Sequence, residues 1–208
     1  MTKIKLCGLT RPENIEAANA LMPDFVGFVF AEKSKRYVAP EIAAELRGCL
    51  NPEIPAAGVF VDAPPEHVAE LLEKGTIQIA QLHGQEDEAY IRALRSLTDR
   101  TIWKAFKIIA PEDLAAAAAS SADLVLLDNG PGGTGESFNW ALLRDFHMRP
   151  YVLAGGLNPE NAAAAIAALR PFGMDVSSGI ETAGRKDPGK MGKFVRAVRE
   201  ADSQEAIP

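Results

Sequence analysis

An apolar run, residues 124–127, ends in Asp128 and opens at once into Asn129-Gly130-Pro131-Gly132-Gly133-Thr134-Gly135. A buried parallel strand reads as such a run, and in a barrel the C-terminal end of a strand is where chemistry sits. A carboxyl group there can give or take a proton. The glycines after it let backbone approach a ligand and present N–H groups to it. The second reactive candidate is Cys7, at the end of the strand-like segment 3–7 and just before Gly8. Strand alternation sends Lys3, Lys5 and Cys7 to one face and Ile4 and Leu6 to the other. Plainer roles exist for both groups: a cysteine often fills a core as a small hydrophobe, and an aspartate often shapes its own turn. A thiolate and a carboxylic acid on well-separated strands can flank a ligand from two sides, as an acid–base pair requires.

Other segments offer binding chemistry. Gly155-Gly156 precedes a helix start and Ser177-Ser178-Gly179 follows the last strand. In an eight-stranded barrel the loops after strands seven and eight are the usual phosphate site, and helix N-termini favour anions. Ser34-Lys35-Arg36-Tyr37 offers an arginine fork for a carboxylate. Gln81 and His83 point the same way at the end of the fourth strand. No second histidine or carboxylate stands at metal-ligand spacing, so no metal is expected.

The elements that must carry these groups alternate strictly. Strand-like segments at 3–7, 25–30, 56–61, 77–83, 102–107, 124–128, 151–154 and 175–177 alternate with helical ones. The helices are expected at 12–21, 40–50, 65–72, 87–97, 111–119, 140–146, 159–169 and 189–199. Several open with proline, whose missing N–H costs nothing at the first helical position. Asn158-Pro159 gives the clearest start, while 111–119 has propensity but little apolar surface. Strict alternation implies a parallel sheet, and eight units fit an α/β fold, a (β/α)8 TIM barrel, as a single domain over 1–200. Residues 201–208 read as a flexible tail. An open doubly wound sheet fits less well, because Cys7-Gly8-Leu9-Thr10-Arg11-Pro12 is not its glycine fingerprint.

The 22 basic and 28 acidic residues leave a formal charge of −6 with no basic block, which argues against nucleic-acid binding. An anionic ligand must therefore be held by local features. No apolar stretch reaches the ~18 residues of a membrane span, and no signal sequence is visible. Two cysteines outside any C-x-x-C pair fit a reducing cytoplasm without disulfides.

Taken in order, these segments resemble the phosphoribosylanthranilate isomerase family of tryptophan biosynthesis. The series runs from Lys5-Leu6-Cys7-Gly8-Leu9-Thr10 through Gly27-Phe28-Val29-Phe30, Ser34 to Arg36, Gly58-Val59-Phe60-Val61 and Gln81-Leu82-His83-Gly84. It continues through the Asp128 loop, Phe138-Asn139-Trp140, Leu153 to Leu157, Asp175 to Glu181 and Gly184-Arg185-Lys186-Asp187. The resemblance implies an Amadori rearrangement of an N-linked phosphoribosyl amine to a 1-deoxyketose phosphate. By motif, Asp128 resembles the general acid and Cys7 the general base. Arg36 would bind the anthranilate carboxylate and Asp175 would contact the substrate near its reacting end, with Gln81 and His83 beside it. Gly155, Gly156, Ser177, Ser178 and Gly179 would hold the phosphate. No cofactor is implied, and the expected partner is a small phosphorylated molecule, with no nucleic acid or membrane, bound by a monomer or homodimer. Asn129 and Asn139 vary from the family's usual motifs, but both flank the inferred acid.

That chemistry makes two demands: an acid that keeps its proton near neutrality, which burial favours, and a base that is partly thiolate, which positive charge favours. Lys5 and Arg36 are the candidates for that charge. The related barrel isomerase of histidine biosynthesis is a rival reading, but it has two similar halves and aspartate where Cys7 stands. A non-catalytic phosphate binder could dispense with both reactive groups.

Overall fold

The computed structural model describes residues 1–128, 140–144 and 146–205. Eight parallel strands close into a barrel in chain order: β1 (Lys3–Cys7), β2 (Phe25–Val29), β3 (Ala56–Phe60), β4 (Ile79–Leu82), β5 (Thr101–Lys107), β6 (Leu124–Asp128), β7 (Tyr151–Ala154) and β8 (Gly173–Val176). β8 returns to pair with β1, setting Lys5 directly opposite Asp175, while Cys7 faces Gly27 across β1 and β2. Helices α1 (Pro12–Leu21), α2 (Pro40–Cys49), α3 (Pro65–Glu73), α4 (Glu88–Leu97), α5 (Pro111–Ala119), α6 (Ala162–Leu169) and α7 (Pro188–Glu205) cover the outside. Proline opens α1, α2, α3 and α5, where its fixed φ suits the first turn.

The period-2 alternation divides each strand between two cores. Ile4, Leu6, Val26 and Phe28 face outward into the layer beneath the helices. Ile79, Trp103, Leu126 and Val152 face inward and fill the barrel. Above them Cys7, Val29 and Val59 form a small apolar cluster at the C-terminal mouth. Lys5, Gln81 and Asp175 are the buried polar residues among the inward positions of β1, β4 and β8.

Several boundaries differ from the sequence expectation. α6 begins at Ala162 rather than Pro159, because the Asn158 side chain accepts the Glu160 and Asn161 amides and closes a turn there. In place of a helix over 140–146, a short 3₁₀ turn spans Trp140–Leu143. β8 starts at Gly173, two residues before the expected segment. An unexpected two-stranded hairpin, β9 (Glu181–Thr182) and β10 (Arg185–Lys186), stands over the mouth. The expected tail from 201 is instead helical through Glu205. Ala201 is buried, and Asp202 accepts bonds from the Thr2 amide and hydroxyl. Residues 129–139, including Asn129, the glycine loop and Asn139, lie outside the described residues, as do 206–208. No helix among the described residues is long and apolar enough to cross a membrane.

Candidate active site

Cys7 ends β1 and Asp128 ends β6, and both line one cavity of about 320 Å³ at the C-terminal mouth. Val29 and Val59 supply an apolar wall. Gln81 and His83 stand on one side and Asp175 and Ser177 on another. Arg36, Gly155, Gly156 and Ser178 complete the rim. Two larger hollows adjoin this cavity, one sharing His83 and Asp128 and the other sharing Arg36, but neither reaches Cys7.

Of the residues expected in the site, Gly179 alone does not line the cavity. A Cβ there would drive into the Leu157 carbonyl, so its place is the packing of the β8 loop on the β7 loop. Gly155 and Gly156 both have left-handed φ, +85° and +66°. Successive amides in such a loop can turn towards one anion.

Charge at the site is organised in pairs. Beneath Cys7, the Lys5 ammonium donates to both oxygens of Asp175 at 3.0 Å each, with both side chains buried. Burial pushes the Cys7 thiol up, and the Asp175 carboxylate adds to that, while Lys5 and Lys186 pull the other way without reversing it. The sequence-based expectation of a lowered thiol therefore does not hold. Desolvation outweighs the cations, because each already faces a carboxylate.

At the rim, Arg36 Nε and Nη2 donate to the two oxygens of Glu181 at 2.6 and 3.0 Å. The edge expected to grip a ligand carboxylate is turned to the hairpin, and Nη1 makes no hydrogen bond among the described residues. Lys186, on β10, donates to Glu181 and to the Ser177 carbonyl and hydroxyl. Burial lowers its pKa, a fall that Glu181 only partly offsets. For Glu181, burial acts upward but Arg36 and Lys186 prevail and hold it low. Sequence reasoning assigned no role to Glu181 or Lys186. Their place in the Ser177–Glu181 and Gly184–Lys186 motifs was the available signal.

Across the cavity, Gln81 Nε2 lies 3.2 Å from His83 Nδ1, and His83 Nε2 lies 3.0 Å from Asp128 Oδ2. Asp128 Oδ1 and Gln81 Oε1 are buried with no hydrogen-bond partner among the described residues. A thiol and a carboxyl group thus border one ligand-sized space, with cations and glycine loops at its edge. Such a space can protonate a ligand at one point and deprotonate it at another.

Known proteins share this sequence pattern and fold. A sequence profile for N-(5'phosphoribosyl)anthranilate (PRA) isomerase matches residues 4–197. The N-(5'-phosphoribosyl)anthranilate isomerase of Thermoanaerobacter sp. (strain X514) is 43% identical over 204 residues, covering 96% of this chain and 98% of that protein. The corresponding protein of Caldanaerobacter subterraneus subsp. tengcongensis is 44% identical over 204 residues, with the same coverage. The crystal structure of phosphoribosyl anthranilate isomerase from Thermotoga maritima superposes with a TM-score of 0.89 at 35% identity, covering 96% of this chain and 100% of that one. A phosphoribosyl anthranilate isomerase in complex with reduced 1-(o-carboxyphenylamino)-1-deoxyribulose 5-phosphate gives 0.85 at 35% identity with the same coverage.

Proposed function

The chain belongs to the N-(5'-phosphoribosyl)anthranilate isomerase family, and from that we propose that it converts N-(5-phospho-β-D-ribosyl)anthranilate to 1-(2-carboxyphenylamino)-1-deoxy-D-ribulose 5-phosphate, a step in L-tryptophan biosynthesis. One observation carries the reading: Cys7 and Asp128, on β1 and β6, border a single cavity that also holds Asp175, Arg36 and both glycine-bearing loops.

The chemistry divides between the two reactive groups. Asp128 gives its proton to the ribose ring oxygen as the C1′–O bond breaks, and the amine nitrogen lone pair forms the iminium. Cys7, as thiolate, takes the C2′ proton, and the C–H electrons form the C1′–C2′ double bond of a neutral enolamine. Loss of the C2′ hydroxyl proton and gain of one at C1′ then yield the ketone. Cys7 ends protonated and Asp128 ionised, so one proton must return from thiol to carboxylate, through solvent, before the next turnover.

In this reading Asp175, which lines the cavity, accepts from a substrate hydroxyl near C2′. Arg36 Nη1 faces the substrate carboxylate, and Gly155, Gly156, Ser177 and Ser178 take the phosphate, with Gly179 holding their loops together. Gln81 and His83 act on the Asp128 side. The iminium itself acidifies the C2′ proton, so the residues need no cofactor. A phosphorylated biosynthetic intermediate fits a cytoplasmic monomer or homodimer.

The test is direct. The purified chain is given the phosphoribosylated anthranilate carrying ¹³C at C2′, and the label is followed by NMR. Conversion of that carbon to a ketone supports the assignment. Its persistence as a carbinol, with the protein folded, rejects it. Growth of a tryptophan-pathway isomerase mutant on expressing the chain separates this reading from the histidine-pathway rival and from a non-catalytic binder.

A further inference from the structure

We infer that Lys5 governs the ionisation of Cys7, and that Asp175 holds Lys5 in check until a ligand hydroxyl engages that carboxylate. The inference rests on the proposed role of Cys7 as base and chooses Lys5 over Arg36 as the charge that sets its ionisation.

Geometry places the three groups in one compartment. Lys5 and Cys7 are two residues apart on β1 and share its inward face, and Asp175 is the cross-strand partner of Lys5. Opposite them on β2 is Gly27, where a Cβ would lie 2.7 Å from Cys7 Sγ and 3.1 Å from Lys5 Nζ. Thiol and ammonium therefore border the same small volume, which only a glycine leaves open. Two of the three ammonium protons go to Asp175, and the third is available on the Cys7 side, where Lys5 favours the thiolate.

A buried Lys–Asp pair is costly to desolvate and is often replaceable by apolar residues without loss of stability. Here it lies directly above an apolar barrel filling that includes Trp103 and Leu126, so packing alone does not require it. The other charges facing Cys7 are compensated differently. Arg36, in the loop after β2, is committed to Glu181, and Lys186, on β10, to Glu181 and the Ser177 carbonyl. Of the two carboxylates in these pairs, Asp175 lines the ligand cavity and Glu181 does not. A hydroxyl donated to Asp175 shares that carboxylate's charge, leaves Lys5 less cancelled, and lets the thiol release its proton to water. While Lys5 is fully paired with Asp175 the thiol stays raised, and a ligand hydroxyl on that carboxylate shifts it towards thiolate.

Alkylation of Cys7 by iodoacetamide, followed against pH by mass spectrometry in a Cys49→Ser background and without substrate, tests this. Cys49 is exposed and would otherwise react. Lys5→Met should move the alkylation midpoint upward by about one pH unit, a tenfold slower reaction at a fixed pH below it. Asp175→Asn should move it downward by a similar amount and speed the reaction. The double variant should lie near the parent. A purely structural role would loosen the mouth and shift both single variants the same way, which overturns the proposal, as do two unchanged midpoints. If Lys5→Met does not fold, Asp175→Asn decides alone, since a static or upward midpoint there is fatal. The readout needs no turnover. Opposite shifts combined with an active Cys7→Ser enzyme would keep the Lys5 relationship and remove Cys7 from catalysis.

Discussion

His83 Nε2 sits 3.0 Å from Asp128 Oδ2, while the other oxygen of the same carboxyl group, Oδ1, is buried without a partner among the described residues. Where the Gln81 amide donates to His83 Nδ1, as its Nε2 placement has it, the ring proton lies on Nε2 and is directed at Oδ2. Oδ2 is thereby occupied as an acceptor. In that tautomer the transferable proton of the proposed acid resides on Oδ1, the oxygen left to meet a ligand.

His83 is therefore a positioning residue for the acid, and its loss should be felt in kcat more than in KM. Asp128→Asn should lower kcat by about 10²–10⁴, the usual contribution of a general acid. His83→Ala should cost about 10- to 100-fold, the worth of a hydrogen bond to a charged group. Steady-state kinetics on both variants check this. A His83 variant altered only in KM would make it a substrate contact instead.

The Arg36–Glu181 pair bears on substrate binding. With Nε and Nη2 committed to the hairpin, Arg36 can offer Nη1 to a ligand carboxylate while Glu181 fixes its position. Arg36→Ala should raise KM by about 10- to 100-fold with a smaller effect on kcat, because a charge-assisted contact is lost in the ground state and transition state alike. Glu181→Gln should move KM the same way by less, since the fork loses its charged anchor but remains. An unchanged KM in Arg36→Ala would remove the arginine from the site.

How far the residues could be read ahead of the structure depends on the range of the physics involved. Cys7 and Asp128 were legible because each ends an apolar run, and strand alternation fixes which face such a residue takes. The start of β8 was not. Gly173 follows Arg170-Pro171-Phe172 and reads as part of a turn, yet in the barrel it is a strand residue whose Cβ would press within 3.1 Å of the Lys3 backbone oxygen and Cβ. The β9–β10 hairpin has strands of two residues, too short to show a period. Arg36 and Glu181 are 145 positions apart, so only barrel closure brings the fork to its partner. Helix α7 outran its expected end for a similar reason: Asp202 is held by Thr2, 200 residues away. The raised Cys7 thiol also escaped, because burial and Asp175 act against the cations that the sequence made visible.

Gly179 carries a prediction about the phosphate loops. Any side chain there meets the Leu157 carbonyl and the Asn158 Cα, both on the loop after β7. Gly179→Ala must push the two loops apart, at a cost of about 1–3 kcal/mol for overpacking, and should raise KM for phosphorylated substrate while Cys7 and Asp128 stay in place. Gly184, in the β9–β10 turn, also has a left-handed φ, but a Cβ there would meet open space. Gly184→Ala should therefore affect backbone strain alone and leave KM near the parent value. Equal KM effects in the two variants would contradict the packing argument.

At the opposite end of the barrel, Asp24 ties the first strand to the last helix. Its carboxylate accepts from Lys3 Nζ at 2.8 Å, the Ile4 amide at 2.9 Å and Arg199 Nη2 at 2.9 Å. Burial alone would raise its pKa, but Lys3, Ile4 and Arg199 together hold it below the ordinary 3.8. A carboxylate with a depressed folded-state pKa adds stability above its unfolded value and loses it as pH falls through the folded one. Asp24→Ala should therefore destabilise the barrel by about 1–2 kcal/mol at pH 7, allowing for solvent around the Lys3 end. The gap to the parent should shrink as the pH is taken below 3.8. Urea midpoints across that range measure it, and kcat at neutral pH should be unchanged, because the site lies at the other end of the strands. A stability gap that stays constant into acid would mean that Asp24 acts by packing rather than by charge.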